Sequence, residues 1–232
     1  MSDKKVVVIS GAGISAESGL STFRDSGGLW EGYNIEEVAS PQGWQENPKK
    51  VLEFYNLRRK QAADAQPNAA HKALADLENH FEVVVVTQNV DDLHERAGSN
   101  NVVHLHGELR KARSTKDESL ILDIGAEPIK LGDLAADGAQ LRPHVVWFGE
   151  MVPMIEVAAK EVVEADILIV VGTSLVVYPA AGLIGYAKAN ISKYIIDPAE
   201  PQLFDLNEWV HYKENAGTGV RKLAEKLKKE HS

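Results

Sequence analysis

His106 stands two residues beyond His104, at the end of the run Val102-Val103-His104-Leu105. An imidazole titrates near neutrality, so His106 suits general-base work. Two quieter roles remain open. One of the two histidines caps a turn, or the pair binds a metal, although no third ligand lies close by in sequence. Asn89, Asp91 and Asp92 follow another apolar run, Val83-Val84-Val85-Val86-Thr87. They suit polar chemistry at a strand end, and the two aspartates equally suit a helix N-cap. A third group of residues, Gly11 to Arg24 (GAGISAESGLSTFR), follows Val6-Val7-Val8-Ile9-Ser10. Gly11, Gly13 and Ala16 fit the strand-to-helix dinucleotide pattern, with alanine in the third small position. The glycines let the backbone turn tightly and approach a pyrophosphate. A short helix beginning near Ser15 would offer that anion free N–H groups and a positive dipole end. A plain structural turn would use the same small residues.

The elements that carry these groups follow from periodicity. Val6–Ser10, Val83–Thr87, Val102–Leu105 and Ile167–Val171 are apolar, β-branched runs of the kind that form buried parallel strands. Val145–Trp147 and Tyr194–Ile196 are further strands, the latter ending at Asp197. Helices are expected around Pro41, from Pro48 to about Ala65, and over Asn68–Asn79, Pro153–Glu164, Ala180–Ala189 and Val220–Lys229. Strands alternate with helices, so the fold class is α/β: a Rossmann-like parallel sheet covered on both faces. Residues 109–141 are charged and turn-rich, and read as an insertion. The expected division is a large unit (1–30, 67–108 and 142–232) and a small one (31–66 and 109–141).

Composition narrows the function. The 232 residues are 44% hydrophobic and 25% charged, ordinary for a globular chain. A net charge of −9 argues against a nucleic-acid-binding surface. No cysteine is present, which excludes disulfides, a thiol nucleophile, iron–sulfur clusters and cysteine-ligated zinc. No stretch approaches the roughly 18 apolar residues of a membrane span. The first apolar run is too short for a signal peptide and has no cleavage pattern. The chain is therefore expected to be cytoplasmic, without membrane partners; monomer is a plausible state.

Gly11–Arg24, Thr87–His94, His104–Gly107, Trp147–Glu150 and Gly172–Ser174, in this order, resemble the sirtuin family of NAD-dependent protein-lysine deacylases. The likeness covers nearly the whole chain. It implies that NAD and an acyl-lysine peptide meet in a cleft, and that the acyl group passes to ADP-ribose with release of nicotinamide. By that resemblance His106 is the general base acting through the cofactor ribose hydroxyls. Asn89 and Asp91 hold the nicotinamide and its ribose, with Val90 where the family often has isoleucine, and Gln88 meets the ribose. Gly11, Ala12, Gly13, Ile14 and Ala16 form the cofactor loop, over which Phe23 and Arg24 order a flexible segment. Gly172, Thr173 and Ser174 receive phosphate and ribose. Asp197 and Ala216 meet the adenosine end, Asp197 standing where the family often has asparagine. The peptide is expected as a strand between Phe148-Gly149-Glu150 and the segment containing Val176 and Val177. Its acyl-lysine would enter an apolar tunnel near Phe148.

Two departures sharpen the likeness. The family usually holds structural zinc with cysteine pairs in the small domain, and Ser114 stands roughly where the first cysteine would be. A zinc-free small domain is expected, held by Leu120, Ile121, Leu122, Ile129 and Leu131. Second, Tyr55 and Arg58 lie three apart on an expected helix and share a face. They match the Tyr-x-x-Arg pair by which some sirtuins recognise succinyl, malonyl and glutaryl lysine, and Ala39 matches the small residue that widens the same pocket. A guanidinium grips a carboxylate bidentately and a tyrosine adds one bond. The alternative is an amphipathic helix showing Arg58, Arg59 and Lys60 to water. Besides deacylation, an NAD glycohydrolase or ADP-ribosyltransferase, and a non-enzymatic NAD-binding module, are the competing functions.

Overall fold

The computed structural model describes residues 4–22, 29–30, 32–200 and 207–231. Phe23 and Arg24 lie outside the described residues.

Strand β1 (Lys5–Ser10) passes into a 3₁₀ turn at Ala12–Ser18. A small ribbon, β2 (Leu29–Trp30) and β3 (Tyr33–Asn34), leads to α1 (Ile35–Val38) and α2 (Pro41–Glu46). Pro41 opens α2, where a missing N–H costs nothing, and the Ser40 hydroxyl caps it by accepting from Gly43 N. The same device starts α3 (Pro48–Asp64), with Asn47 as cap. Asn68 and His71 form a reciprocal capping box at the start of α4 (Ala69–Leu77). Then come β4 (Glu82–Thr87), α5 (Leu93–Ala97), β5 (Val102–His104), β6 (Gly107–Ser114), β7 (Ile121–Asp123) and β8 (Leu141–Val145). The chain continues through α6 (Ile155–Glu164), β9 (Ile167–Val171), a 3₁₀ segment at Ala180–Tyr186, β10 (Ser192–Ile196), β11 (Trp209–Tyr212) and α7 (Ala216–Glu230).

The main sheet is parallel throughout, in the order β11-β10-β9-β1-β4-β5. Strand alternation sends Val6, Val8, Val83 and Val85 to a core shared with α4 and α7, and Val7, Ile9, Val84 and Val86 to the opposite core, where α6 packs. Strand order reverses beside β1, so the loops leaving β1, β4 and β9 converge at the carboxyl edge, the usual ligand crevice of such sheets.

The second layer is an antiparallel sheet, β7-β6-β8. β8 pairs with β6, so Val145 belongs to this layer and not to the parallel sheet, where a strand at 145–147 was expected. Gly107 makes the transition between layers: its φ is +77°, and a Cβ there would lie 2.1 Å from His144 O.

The expected apolar cluster of the small layer is corrected. Ile121, Leu122 and Leu131 are 46%, 43% and 53% exposed. The cluster that forms is Leu52, Ala112, Ile129, Ala135 and Leu141, with Trp44 and Ile124 against it. Residues of both 31–66 and 109–141 contribute, because α3 supplies Leu52 from its buried face.

Candidate active site

At the crevice a cleft of about 580 Å³ opens between the two sheets. Gly11, Ala12, Gly13, Ala16, Gln88, Asn89, Val90, Asp91, His106, Gly172, Thr173, Ser174, Asp197 and Ala216 border it, and so do Ala39, Tyr55, Arg58, Phe148, Gly149, Glu150 and Val177. Ile14 and Val176 do not. Ile14 is fully buried in the core beneath the turn, and Val176 is exposed outside the cleft.

The glycines of the first turn answer to packing as much as to any ligand. A Cβ at Gly13 would lie 2.7 Å from Gly172 Cα, and one at Gly11 2.7 Å from Thr173 Cβ. The loops after β1 and β9 therefore touch backbone to backbone, and Gly13 N donates to Gly172 O. Thr173 Oγ1 accepts from Gln88 Nε2 at 3.0 Å, tying in the loop after β4.

His106 borders the cleft with its ring fixed by one hydrogen bond. Its Nδ1 lies 3.1 Å from Gln88 O. A carbonyl only accepts, so Nδ1 carries the proton and Nε2 keeps its lone pair. Burial pushes the ring's pKa below its ordinary value, although the Gln88 carbonyl opposes the shift, so the ring is neutral at pH 7. His104 is the opposite case. Both of its nitrogens face acceptors, Asn89 O at 3.0 Å and Glu95 Oε1 at 2.7 Å. Burial disfavours its charge, but the Glu95 carboxylate outweighs that and raises the pKa. His104 thus holds the Asn89 backbone, and only His106 faces the cleft.

Ser15 was not singled out in the sequence, yet it organises the polar floor. Its hydroxyl accepts from Asn89 Nδ2 and donates to Asp91 Oδ2, both at 3.1 Å. Asp91 also accepts from Leu93 N, the first residue of α5, so the aspartate both braces a helix start and faces the cleft. Burial raises its pKa, with the Leu93 and Ser15 bonds opposing.

Tyr55 and Arg58 enter from α3. Tyr55 is 1% exposed and packs against Trp147, with ring centroids 6.4 Å apart. Burial raises its phenol well above the ordinary range, so it remains a donor at pH 7. Arg59, by contrast, is 2% exposed and does not face water as the alternative for this helix required. Behind the cleft the Arg142 guanidinium stacks 3.3 Å from the Trp147 ring centroid and grips Glu150 with both terminal nitrogens, at 2.6 and 3.1 Å. The sequence carried no signal for this clamp.

Among the described residues no group of three or more His, Cys, Asp or Glu is placed to hold a metal ion, and no helix is long and apolar enough to cross a membrane.

A Rossmann-like sheet whose switch-point turns share one cleft with a neutral histidine is an architecture suited to an enzyme acting on or through a dinucleotide. Residues 11–179 match the Sir2 family, and the chain belongs to that family. It is 58% identical over 195 residues to an NAD-dependent protein deacylase of Helicobacter pylori (strain J99 / ATCC 700824), covering 84% of this chain and 83% of the relative. It is 51% identical over 230 residues to one of Bacteroides thetaiotaomicron, covering 97% and 98%. Among solved structures, a Sir2 homolog–NAD complex matches with TM-score 0.89 and 42% identity, over 99% of this chain and 91% of that one. Sir2 bound to acetylated peptide matches with TM-score 0.76 and 27% identity, over 96% and 92%.

Proposed function

We propose that this chain removes acyl groups, acetyl, succinyl and malonyl among them, from lysines of acylated proteins in an NAD-dependent reaction that yields nicotinamide, O-acyl-ADP-ribose and free lysine. The observation that carries the acidic-acyl part is that Tyr55 and Arg58 border the same cleft as His106. The cleft suits NAD: small residues line one end, the Ser15-braced pair Asn89 and Asp91 the middle, and Asp197 and Ala216 are also on its wall. When bound, NAD would supply an electrophilic ribose carbon for the acyl oxygen, with nicotinamide as the leaving group. His106 Nε2 takes a proton at a ribose hydroxyl. Asn89 presents its free amide oxygen to the nicotinamide end. Phe148 and Val177 flank the substrate lysine, and the peptide backbone adds as a strand between the segments that carry them, a mode that tolerates many sequences. Arg58 grips the distal carboxylate of a succinyl or malonyl group, and the Tyr55 hydroxyl adds one bond.

Paired acetyl- and succinyl-lysine peptides, incubated with and without NAD and followed by mass spectrometry, test this. A charge-assisted bond is worth roughly 1.5–3 kcal/mol, so Arg58→Met is expected to lower desuccinylation about tenfold to a hundredfold and to spare deacetylation. Equal loss of both activities overturns the role of Arg58.

A further inference from the structure

Adjacent arginines on α3 border different cavities. Arg58 borders the cleft. Arg59 borders a second, smaller cavity of about 310 Å³ between α3, α5 and the antiparallel layer. The side chain of Arg59 donates from Nε to Leu109 O and from Nη1 to Asn56 Oδ1, both at 2.6 Å. Both acceptors are neutral. Nη2 is buried and meets no acceptor among the described residues. A guanidinium taken out of water without a counter-charge is costly, and burial lowers the pKa of Arg59 to about 10.

The other two arginines at this cavity already have carboxylate partners. Arg96 and Arg110 both reach Asp92, at 3.5 and 3.4 Å. Arg110 also pairs with Asp123 at 3.1 Å. The remaining acid, Asp91, is engaged by Ser15 and by Leu93 N. Among the described residues Arg59 alone of the three arginines has no carboxylate within ion-pair distance. The rest of the wall includes Ala62, Ala63, Val90, Leu109 and Ala126. We infer that this cavity is a binding site for a short-chain monocarboxylate, whose single negative charge pairs with Arg59 and whose alkyl tail lies against the apolar wall. A dianion such as phosphate would bring a second charge with no cation left for it. At about 30 Å³ per water-sized group, the space holds about ten such groups, ample for butyrate. Val90 and Asp91 line both cavities, so occupation of this one bears on the floor of the cleft.

Calorimetric titration of the full chain with butyrate, in the absence of NAD, tests the site. Saturable one-site binding is expected, weakened at least tenfold by Arg59→Gln. Ala63→Leu is expected to do the same by filling the cavity, and because Ala63 is an exposed helix position this variant should fold even if Arg59→Gln does not. Inorganic phosphate should bind at least tenfold more weakly than butyrate. Three outcomes overturn the inference. One is no saturable heat in the unmodified protein. Another is unchanged binding in Ala63→Leu. The last is binding lost in Arg58→Met and kept in Arg59→Gln, which would assign the carboxylate to the cleft.

Discussion

The two sheets are held together by different physics. The parallel sheet is covered on both faces, and Val6, Val7, Val8 and Ile9 are all fully buried. Its stability comes from apolar area removed from water, spread over many residues. The antiparallel layer packs on smaller clusters, one of five buried apolar residues and one of ten that takes Leu109 and Val145 from its strands. Its strands carry Arg113, Ser114 and Arg142, each less than a tenth exposed, and it is fastened to the cleft through Arg142, Trp147 and Glu150. Loss of one contact is shared in the first region and concentrated in the second.

Acid is expected to strike the first region hardest. Beneath β1 and β4, His94 Nε2 lies 3.0 Å from Ser10 Oγ, and His71 packs edge-on to His94 with centroids 4.9 Å apart. Burial lowers the pKa of His71 to about 4 and that of His94 well below its ordinary value, with the neighbouring His71 and His104 adding to the shift of His94. The folded chain keeps both rings neutral, whereas the unfolded chain protonates them below about pH 6.5. Stability is therefore lost as pH falls from about 6.5 to about 4, and His71 alone accounts for about 3 kcal/mol of it. Urea titrations at stepped pH check this. The stability of His71→Gln should fall less steeply over that window than that of the unmodified protein. Parallel slopes would mean that His71 charges without consequence.

The second region should break first when its clamp is cut. Glu150 accepts from Arg142, from Trp147 N at 2.8 Å and lies 3.5 Å from Arg113. Burial would raise its pKa, but the Arg142 bond and charge hold it below the ordinary carboxylate value. Glu150→Gln leaves Arg142 without a counter-charge. A fully buried pair would lose 3–5 kcal/mol, and a partly exposed one less, roughly 2 kcal/mol. The comparison predicts where the loss appears: amide exchange should accelerate in β6 and β8 while β1 and β4 keep their protection. Uniform acceleration across both sheets would show that the two layers unfold as one unit.

The same division explains what was legible in the sequence. β1, β4, β9 and β10 were evident because a buried parallel strand must be apolar and β-branched, and few other structures need such runs. β11 escaped notice, being an edge strand with Val210 49% exposed and His211 among its residues. β6, GELRKARS, reads as a charged loop because its buried positions include arginine and serine, whose satisfaction depends on partners distant in sequence. Ile121, Leu122 and Leu131 were assigned to a core by hydrophobicity alone, yet the layer is too thin to cover them. In the site, the small-residue turn after β1 was readable from spacing, whereas His106 was singled out through the family resemblance and borders the cleft. Ser15, the Arg142 stack and the burial of Arg59 were not legible, because each rests on side chains meeting across tens of residues.

The smallest expected effect lies at the turn after β6. The Ser114 hydroxyl is fully buried; it donates to Asp137 at 2.7 Å and accepts from the amides of Lys116 and Asp117 at 3.0 and 3.2 Å. It folds the turn with a single oxygen atom. Ser114→Ala removes that acceptor from two amides, but the turn lies near the surface and water replaces part of the loss. About 1 kcal/mol is expected, read as a fall in melting temperature of about 3 °C for a chain of this size. Adding zinc or a chelator should move the melting temperature of neither form. A fall as large as that of Glu150→Gln would make this turn, and not the clamp beside the cleft, the point on which the second layer depends.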